Sequence, residues 1–523
     1  MELAAVIPAP SRLRFMPAIA LIVLFFVYPL ARLLLMPLTH AHGSVGDWRA
    51  LSDSLTISLA TAVIAAPLGA AFALFVGRSE GPVANAAILT LWALFLAPSY
   101  ILTTGWMIVF RDGALRHSLA GQAFFGVGGL LMLYVIKALP FAALVARAAL
   151  AAADAGPAEA AAIHAVPRFA RLRVTVRLLM PAITMGFAIA VIETMQEFGI
   201  PATLGITSRI PLLTYAIYQK LAETPTDFTG AAMLCWSLIA VAAVFGGLSL
   251  ALRREGAAVR HGRARPVSRR RPGRRTAVLF ALLTAAIGLI GVGIPVVALA
   301  VRALGPLHGP LPHPCAVLRS LGFGMVAASM ALIVACMVLR VRASGARLTA
   351  ALLDAALIAN LAVPGLVLGA GYIVAFNNDV FPLYGTRLLL LIGYTAGMVP
   401  LALRMMQGAL DDLDANFVAA ARLHGVPRAK RLIDIEATLL IQPLSNAYAL
   451  VAAAIMFELP VSELLYPPGA TPLGVAIVTL DQKSAYSASA ELALLGLGAM
   501  AAFACVLALV VRVLATPRPV QTA

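Results

Sequence analysis

Four ionisable side chains in or beside apolar segments are the residues of this sequence best suited to do chemistry. Lys137 lies inside one apolar segment, Glu193 and Glu197 stand four residues apart near the end of the next, and Glu458 follows a later one. A spacing of four places Glu193 and Glu197 on one face of a helix. Because charges inside a membrane are costly, these residues are candidates for lining a polar path across it.

Other roles for these residues stay open. The two carboxylates could be solvated near the membrane surface, and Lys137 could meet an anionic substrate, pair with Glu193, extend toward the interface or pack against a backbone carbonyl. The sequence leaves unknown whether any of them meets a metal ion.

Patterns typical of catalysis are absent from the sequence. It has no HExxH, no paired-carboxylate hydrolase signature and no GxSxG between a strand and a helix. A phosphate-binding P-loop needs Gly-Lys before Ser or Thr, and none of the lysines, at positions 137, 220, 430 and 483, follows a glycine. We therefore expect a chain that is not an enzyme and that has no ATPase motif of its own.

The composition indicates that the bilayer is the solvent of this chain. Hydrophobic residues make up 61% of it, charged residues 12%, and the mean hydropathy is +0.94. Segments long enough to cross a hydrocarbon core of about 30 Å recur along it. We expect about twelve membrane-spanning helices in an all-α polytopic protein, at 16–36, 55–76, 89–110, 129–146, 178–195, 231–252, 278–301, 321–339, 352–376, 388–403, 439–457 and 492–511.

The sequence repeats itself at an offset of 260 residues. His164 and Val166-Pro167-Arg168 recur as His424 and Val426-Pro427-Arg428. The same offset pairs Tyr134 with Tyr394. The repeat predicts two parallel six-helix halves, with boundaries at 1–252, 253–275 and 276–523 for the first half, the linker and the second half.

Arginine and lysine are concentrated in alternate loops, which predicts that both termini are cytoplasmic. Residues 253–275 contain ten arginines and one acid. Beside a membrane span, such a run favours anchoring next to anionic lipid over nucleic-acid binding. We therefore expect no nucleic-acid partner, and the net charge of +16 reports topology.

Each copy of the repeated phrase falls in a large cytoplasmic loop between the fourth and fifth spans of its half. Residues 154–165 and 414–425 are alanine-rich and predict a short helix that begins at an acidic residue and ends at a small one. An exposed, duplicated helix favours docking of a cytoplasmic partner in a groove. The alternative is an interfacial helix that anchors to lipid.

These loops resemble the EAA motif of the membrane subunits of ABC importers, written Glu-Ala-Ala, three variable residues and Gly. The first copy has Glu159-Ala160-Ala161 and places Ala165 where the family has Gly. The second has Ala419-Ala420-Ala421, without the acid, and keeps Gly425. Neither copy has Leu-Pro at the usual distance. The resemblance implies a coupling helix in each loop, and it gives the ATPase-contacting residues as Glu159, Ala160, Ala161, His164, Ala165, Pro167, Arg168, Ala419, Ala420, His424, Gly425, Pro427 and Arg428.

The resemblance implies the inner-membrane permease subunit of a binding-protein-dependent ABC importer. Its implied partners are a cytoplasmic ATPase dimer, which binds the ATP and magnesium, and a periplasmic substrate-binding protein. Glu197-Phe198-Gly199 and Ala216-Ile217-Tyr218 resemble the outer loops of fused permeases of the iron(III) and thiamine type. Iron(III) is the preferred substrate on this basis, with thiamine, phosphonate, polyamine or molybdate as alternatives. A proton-coupled secondary transporter of six-plus-six design is the rival mechanism.

Overall fold

The computed structural model describes most of the chain. The residues it describes are 20, 22–39, 47–111, 113–151, 167–258, 269–305, 313–343, 353, 363–411, 420–421, 423–427 and 438–515. Within them there is no β-strand beyond two isolated bridges, Ser79 with Arg270 and Asn377 with Pro382. Everything that positions the candidate site is therefore a helix or a turn.

The first half of the chain is a series of apolar helices. A π-helical turn at Val23–Val27 leads into the first of them, and another follows at Pro201–Gly205. The α-helices are α1 (Tyr28–Thr39), α2 (Trp48–Arg78), α3 (Pro82–Leu96), α4 (Ser99–Arg111), α5 (Leu119–Phe124), α6 (Val127–Ala151), α7 (Arg168–Gln196), α8 (Leu213–Ala222) and α9 (Phe228–Ala258).

The second half repeats much of this order. It opens with α10 (Arg274–Gly288), a π-helical turn at Leu289–Gly293 and α11 (Ile294–Ala303). The remaining helices are α12 (Ala316–Ala343), α13 (Gly365–Phe376), α14 (Arg387–Asp411), α15 (Thr438–Met456), α16 (Pro460–Leu465), α17 (Leu473–Gln482) and α18 (Tyr486–Ala515).

The described helices confirm the predicted all-α polytopic membrane fold. Nine helical segments in the described part of the chain are long and apolar enough to cross a membrane, or ten if α3 and α4 are counted as one span. The first and ninth predicted spans are represented there by the shorter apolar helices Val23–Leu38 and Gly365–Phe376. The third predicted span, at 89–110, is not one continuous helix, because α3 and α4 meet at an angle of 96°.

The chain forms two compact units that exchange segments. The N unit consists of Pro37–Pro310 and Ile477–Glu491, and the C unit of Met1–Met36, Leu311–Ala476 and Leu492–Ala523. Helices α2, α6 and α7 pack together in the N unit, and α12, α14 and α15 do so in the C unit. These units are defined by contacts and the predicted halves by sequence, so the half boundaries stay a prediction.

The first helix of each half packs within the unit that holds the core of the other half. In the C unit, the Tyr372 hydroxyl of α13 donates a hydrogen bond of 2.5 Å to the Phe25 carbonyl. In the N unit, the Trp106 indole N–H of α4 donates one of 2.9 Å to the Ile290 carbonyl. Both carbonyls lie in π-helical turns, whose wider spacing interrupts the α-helical hydrogen bonding. An aromatic donor therefore supports the first helix of each half.

Close backbone packing accompanies both of these hydrogen bonds. A Cβ added to Gly105 would lie 2.6 Å from the Pro295 carbonyl oxygen, and one added to Gly371 would lie 3.0 Å from that of Pro29. Only glycine permits such an approach. Trp106 with Tyr372, Gly105 with Gly371 and Pro295 with Pro29 are each separated by 266 residues. The repeat thus continues into the third and first helices of each half in a different register.

Candidate functional site

The break between α3 and α4 is the centre of the candidate site. α3 ends at Leu96, and the next residue, Ala97, has an extended backbone at φ −68° and ψ 125°. Pro98 and Ser99 follow. A proline disfavours the helical conformation in the residue before it and cannot donate a backbone hydrogen bond. Pro98 is therefore the local cause of the bend. Broken helices at membrane depth expose backbone groups that can bind ions or substrates.

Lys137 of α6 contacts the backbone carbonyls on the α3 side of this break. Its ammonium donates hydrogen bonds of 3.0 Å to the Ala97 carbonyl and 3.5 Å to the Phe95 carbonyl. The carboxyl end of a helix carries partial negative charge, so a cation is stabilised there. Of the roles that the sequence left open for Lys137, the structure shows packing against backbone carbonyls.

Glu197 holds the other side of the break. It follows the last residue of α7, and its Oε1 accepts a hydrogen bond of 2.6 Å from the Ser99 hydroxyl and one of 2.8 Å from the Gly199 N–H. Its backbone carbonyl also accepts a 2.8 Å hydrogen bond from the Thr214 hydroxyl. A Cβ on Gly199 would lie 2.5 Å from the Ser99 Oγ, so this folded-back carboxylate requires glycine at that position.

Glu193 joins these residues in one cluster. It lies in the last turn of α7, four residues before Glu197, is half-buried, and has no hydrogen-bond partner among the described residues. The charges of Glu193 and Glu197 act electrostatically on Lys137. In the described part of the chain neither carboxylate comes within 4 Å of the ammonium. Lys137, Glu193 and Glu197 are therefore neighbours without a direct ion pair.

Glu458 occupies the related position of the second half and is used differently. Its Oε1 accepts a 2.7 Å hydrogen bond from the Val461 N–H, and its Oε2 accepts bonds of 2.9 and 2.8 Å from the Ser462 N–H and hydroxyl. Tyr394 Oη lies 2.7 Å from the same hydroxyl. Burial raises the pKa of Glu458, and the hydrogen bonds from Val461 and Ser462 oppose that shift. Glu458 thus caps the short helix α16 in the C unit.

Two serines with a positioning role were not predicted from the sequence. The Ser54 hydroxyl accepts a 2.8 Å hydrogen bond from the Leu213 N–H at the start of α8, and the Ser320 hydroxyl accepts one of 2.7 Å from the Leu473 N–H at the start of α17. The first N–H groups of a helix lack partners within it. The two serines therefore fix equivalent helices in the two halves. Their spacing of 266 residues was the available signal.

A buried acid, Asp481, was also not predicted. It is 3% exposed at the end of α17, and its Oδ2 accepts a hydrogen bond from the Thr104 hydroxyl within the N unit. The side chain of Gln482 adds a 3.4 Å hydrogen bond to the Ala202 carbonyl. The sequence signal was a single acid ending an apolar segment. The first bond holds the segment 477–491 onto α4, and the second holds it onto the π-helical turn Pro201–Gly205.

The predicted coupling loops are only partly described. Glu159, Ala160, Ala161, His164, Ala165, Ala419 and Arg428 lie outside the described residues. In the first loop, Pro167 is exposed and Arg168 begins α7. In the second, Ala420, His424, Gly425 and Pro427 are all exposed, as a surface that contacts a partner would be. The contacts of these residues with an ATPase stay a prediction.

Gly425 lies where the predicted second coupling helix would end. Its φ of +67° lies in the left-handed region, and the Val426 N–H donates a 3.0 Å hydrogen bond back to the Ala421 carbonyl. This bond and conformation form a glycine helix-termination motif. The glycine of the EAA pattern therefore has a conformational reason, and the first loop places Ala165 at that point.

Known proteins match this chain in sequence. Residues 330–518 match the family model of the binding-protein-dependent transport system inner membrane component. The thiamine transport system permease protein ThiP of Brucella abortus (strain 2308) is 26% identical over 432 residues, which cover 79% of this chain and 77% of the relative. ThiP of Brucella suis biovar 1 (strain 1330) is 26% identical over 435 residues with the same coverage.

A shorter part of the chain matches another permease. The probable ABC transporter permease protein y4fN of Sinorhizobium fredii (strain NBRC 101917 / NGR234) is 34% identical over 126 residues, or 22% of this chain and 21% of the relative. No solved structure matches the chain.

The fold and these matches support the class that the loops predicted, an inner-membrane permease of a binding-protein-dependent ABC importer. The relatives that cover most of its length are thiamine permeases by name, and thiamine was one of the predicted alternatives. The preference for iron(III) is not confirmed. Within the described residues no group of three or more His, Cys, Asp and Glu could hold a metal ion.

Proposed function

We propose that this permease imports thiamine, using ATP hydrolysed by a separate subunit. The observation that carries the proposal is the similarity to thiamine permeases over 432 residues, which span both halves of the chain. A periplasmic binding protein would deliver the vitamin to the outer face, and both termini would lie in the cytoplasm. The chain would act as two six-helix halves, at 1–252 and 276–523, joined by the arginine-rich segment.

Deleting the gene for this chain in its host and measuring uptake tests the identity of the substrate. Radiolabelled thiamine and iron(III) are supplied separately to the deletion strain and to the same strain carrying the wild-type chain on a plasmid. We expect thiamine uptake to fall to background and to return with the plasmid, while iron uptake is unchanged. Loss of iron uptake with normal thiamine uptake would overturn the proposal.

The two cytoplasmic loops are the proposed ATPase contacts. Pro167, His424, Gly425 and Pro427 are exposed in the structure, which supports this role. The absence of a Gly-Lys pair supports ATP and magnesium binding by the partner and not by this chain. Reversing the charge of both Arg168 and Arg428 to Glu should release the ATPase or uncouple it. Normal ATP-driven uptake by that double variant would contradict the proposed contacts.

A further inference from the structure

We propose that the break between α3 and α4 is a cation-exchange site, at which the positively charged thiazolium ring of thiamine replaces the ammonium of Lys137. This inference rests on the proposed function, because it names where that substrate would pause within the membrane. Its parts are the Phe95 and Ala97 carbonyls, the carboxylates of Glu193 and Glu197, and Lys137 itself. All five residues belong to the N unit.

The structure shows that this position holds a cation. The ammonium of Lys137 lies 3.0 Å from one backbone carbonyl oxygen and 3.5 Å from another, both at the carboxyl end of α3. Hydrogen-bond geometry is favourable at the shorter distance and marginal at the longer one. The carbonyls are exposed only because Pro98 ends the helix there. A second cation can occupy the same partial negative charge once the lysine side chain moves aside.

The charge of the cluster favours a monovalent cation. With Lys137 protonated and both carboxylates ionised, the cluster carries a net charge of about −1, and the carboxyl end of α3 adds roughly half a negative charge. A ligand with one positive charge can take the place of the ammonium without changing the net charge of the site. An anionic ligand would instead add repulsion inside a membrane, where charge separation is costly.

Glu193 is the member that can receive a ligand directly. Glu197 already accepts hydrogen bonds from Ser99 and Gly199, and its position is fixed by them. Glu193 is half-buried and has no hydrogen-bond partner among the described residues. Because an intramembrane carboxylate without a partner is costly, a role in binding explains why it is there. Lys137 and Glu197 are also only half-buried, so the cluster is open to a ligand.

The second half does not reproduce this arrangement. At the repeat offset, Gly397 stands where the first half has Lys137. Gly365 stands at the start of α13 as Ser99 does at the start of α4, and Glu458 caps α16 with both of its oxygens. A purely structural requirement of the fold would be expected in both copies. The single copy of the cluster therefore supports a role in substrate binding.

Equilibrium binding of radiolabelled thiamine tests the inference. The probe is added to the permease copurified with its ATPase in lipid nanodiscs, without a binding protein. Glu193→Gln should weaken binding about tenfold, because one charged contact is worth roughly the 1.4 kcal/mol that changes an equilibrium tenfold. Lys137→Met should tighten binding by a similar factor, because it removes the internal competitor. Lys137→Arg should stay near wild type.

Matched variants control for general loss of charge. Glu223→Gln and Lys483→Met remove an exposed carboxylate and an exposed ammonium elsewhere, and both should bind thiamine within about twofold of wild type. Damage to the fold would weaken binding in Glu193→Gln and Lys137→Met alike, so opposite directions separate binding from stability. Thermal unfolding of each complex shows which variants are folded.

Three results would overturn the inference. They are no binding of thiamine to the wild-type complex, equal affinity in all variants, and weaker binding in both Glu193→Gln and Lys137→Met. If the host still needs the chain for thiamine uptake, any of these results rejects only the exchange site. If thiamine uptake does not need the chain, the proposed function itself fails.

Discussion

The two halves of this permease share their supports and differ in their polar residues. Trp106 and Tyr372 donate to π-helical turns, and Ser54 and Ser320 receive the first N–H of α8 and α17. In contrast, the first half gathers Lys137, Glu193 and Glu197 at a broken helix, and the second half uses its acid to cap α16. The contacts that position the helices thus recur at the repeat spacing, whereas among the described residues this charged cluster occurs in the first half.

The largest expected effect comes from the glycines that support the first helices. Gly105→Val should destabilise the complex by about 1–3 kcal/mol, because its Cβ would overlap the Pro295 backbone at 2.6 Å. Gly371→Val should cost less, because the corresponding distance to Pro29 is 3.0 Å. Thermal unfolding of the purified complexes measures both. Equal tolerance of valine at the two sites would contradict this account of the packing.

Substitution by glutamine should affect the stability of the protein differently at Glu458 and at Glu197. Glu458→Gln should cost about 2 kcal/mol, because an amide NH₂ replaces an oxygen and one side of the residue can no longer accept hydrogen bonds. Glu197→Gln should change the free energy of unfolding little. Of the two carboxylate oxygens of Glu197 only Oε1 accepts hydrogen bonds, and a glutamine retains that oxygen. Thiamine binding should instead be weakened more by Glu197→Gln than by Glu458→Gln. A larger loss of stability in Glu197→Gln would contradict the assigned roles.

The serine supports should be equivalent. Ser54→Ala and Ser320→Ala each remove one hydrogen bond to a buried helix start, and each should lower the free energy of unfolding by about 1 kcal/mol. Because the two sites repeat the same arrangement, their effects should agree. Denaturant unfolding of the single variants measures the values. A large effect at one serine and none at the other would show that the supports are not duplicated.

The smallest expected effect concerns the coupling loops. Gly425→Ala should destabilise the local backbone conformation by about 1 kcal/mol, because a side chain in the left-handed conformation is strained. No steric clash adds to this, because no atom lies within 4 Å of the added Cβ. Ala165→Gly should act in the opposite direction if the first loop ends in the same way. The ATPase retained by each purified variant is the measurement. If Gly425→Ala retained more ATPase than the wild type, the helix-termination role would be contradicted.

Helices and their charged residues could be predicted because both depend on side-chain identity. Long apolar runs predicted the spans. The spacing of four predicted one helical face for Glu193 and Glu197, but Glu197 has an extended backbone just after the end of α7, and hydrogen bonds from Ser99 and Gly199 hold its carboxylate. The bend at Pro98 was missed because the apolar run continues through it, and a proline within a membrane helix does not by itself end the helix, as Pro140 in α6 shows.

Backbone contacts explain the rest of what the sequence could not predict. The partners of Lys137, Trp106 and Tyr372 are carbonyl groups, which every residue possesses. The second register of the repeat, at 266 residues, was missed because it pairs unlike side chains such as Trp106 and Tyr372. Gly425 was recognised by resemblance, whereas its reason became visible only from its φ.

ATP-driven uptake into proteoliposomes tests the central claim most directly. The permease, its ATPase and the binding protein are reconstituted, and radiolabelled thiamine accumulation is followed with and without ATP on the ATPase side. We predict accumulation that requires ATP and continues when an uncoupler collapses the proton gradient. Accumulation without ATP that the uncoupler abolishes, or no accumulation of thiamine at all, would contradict the account.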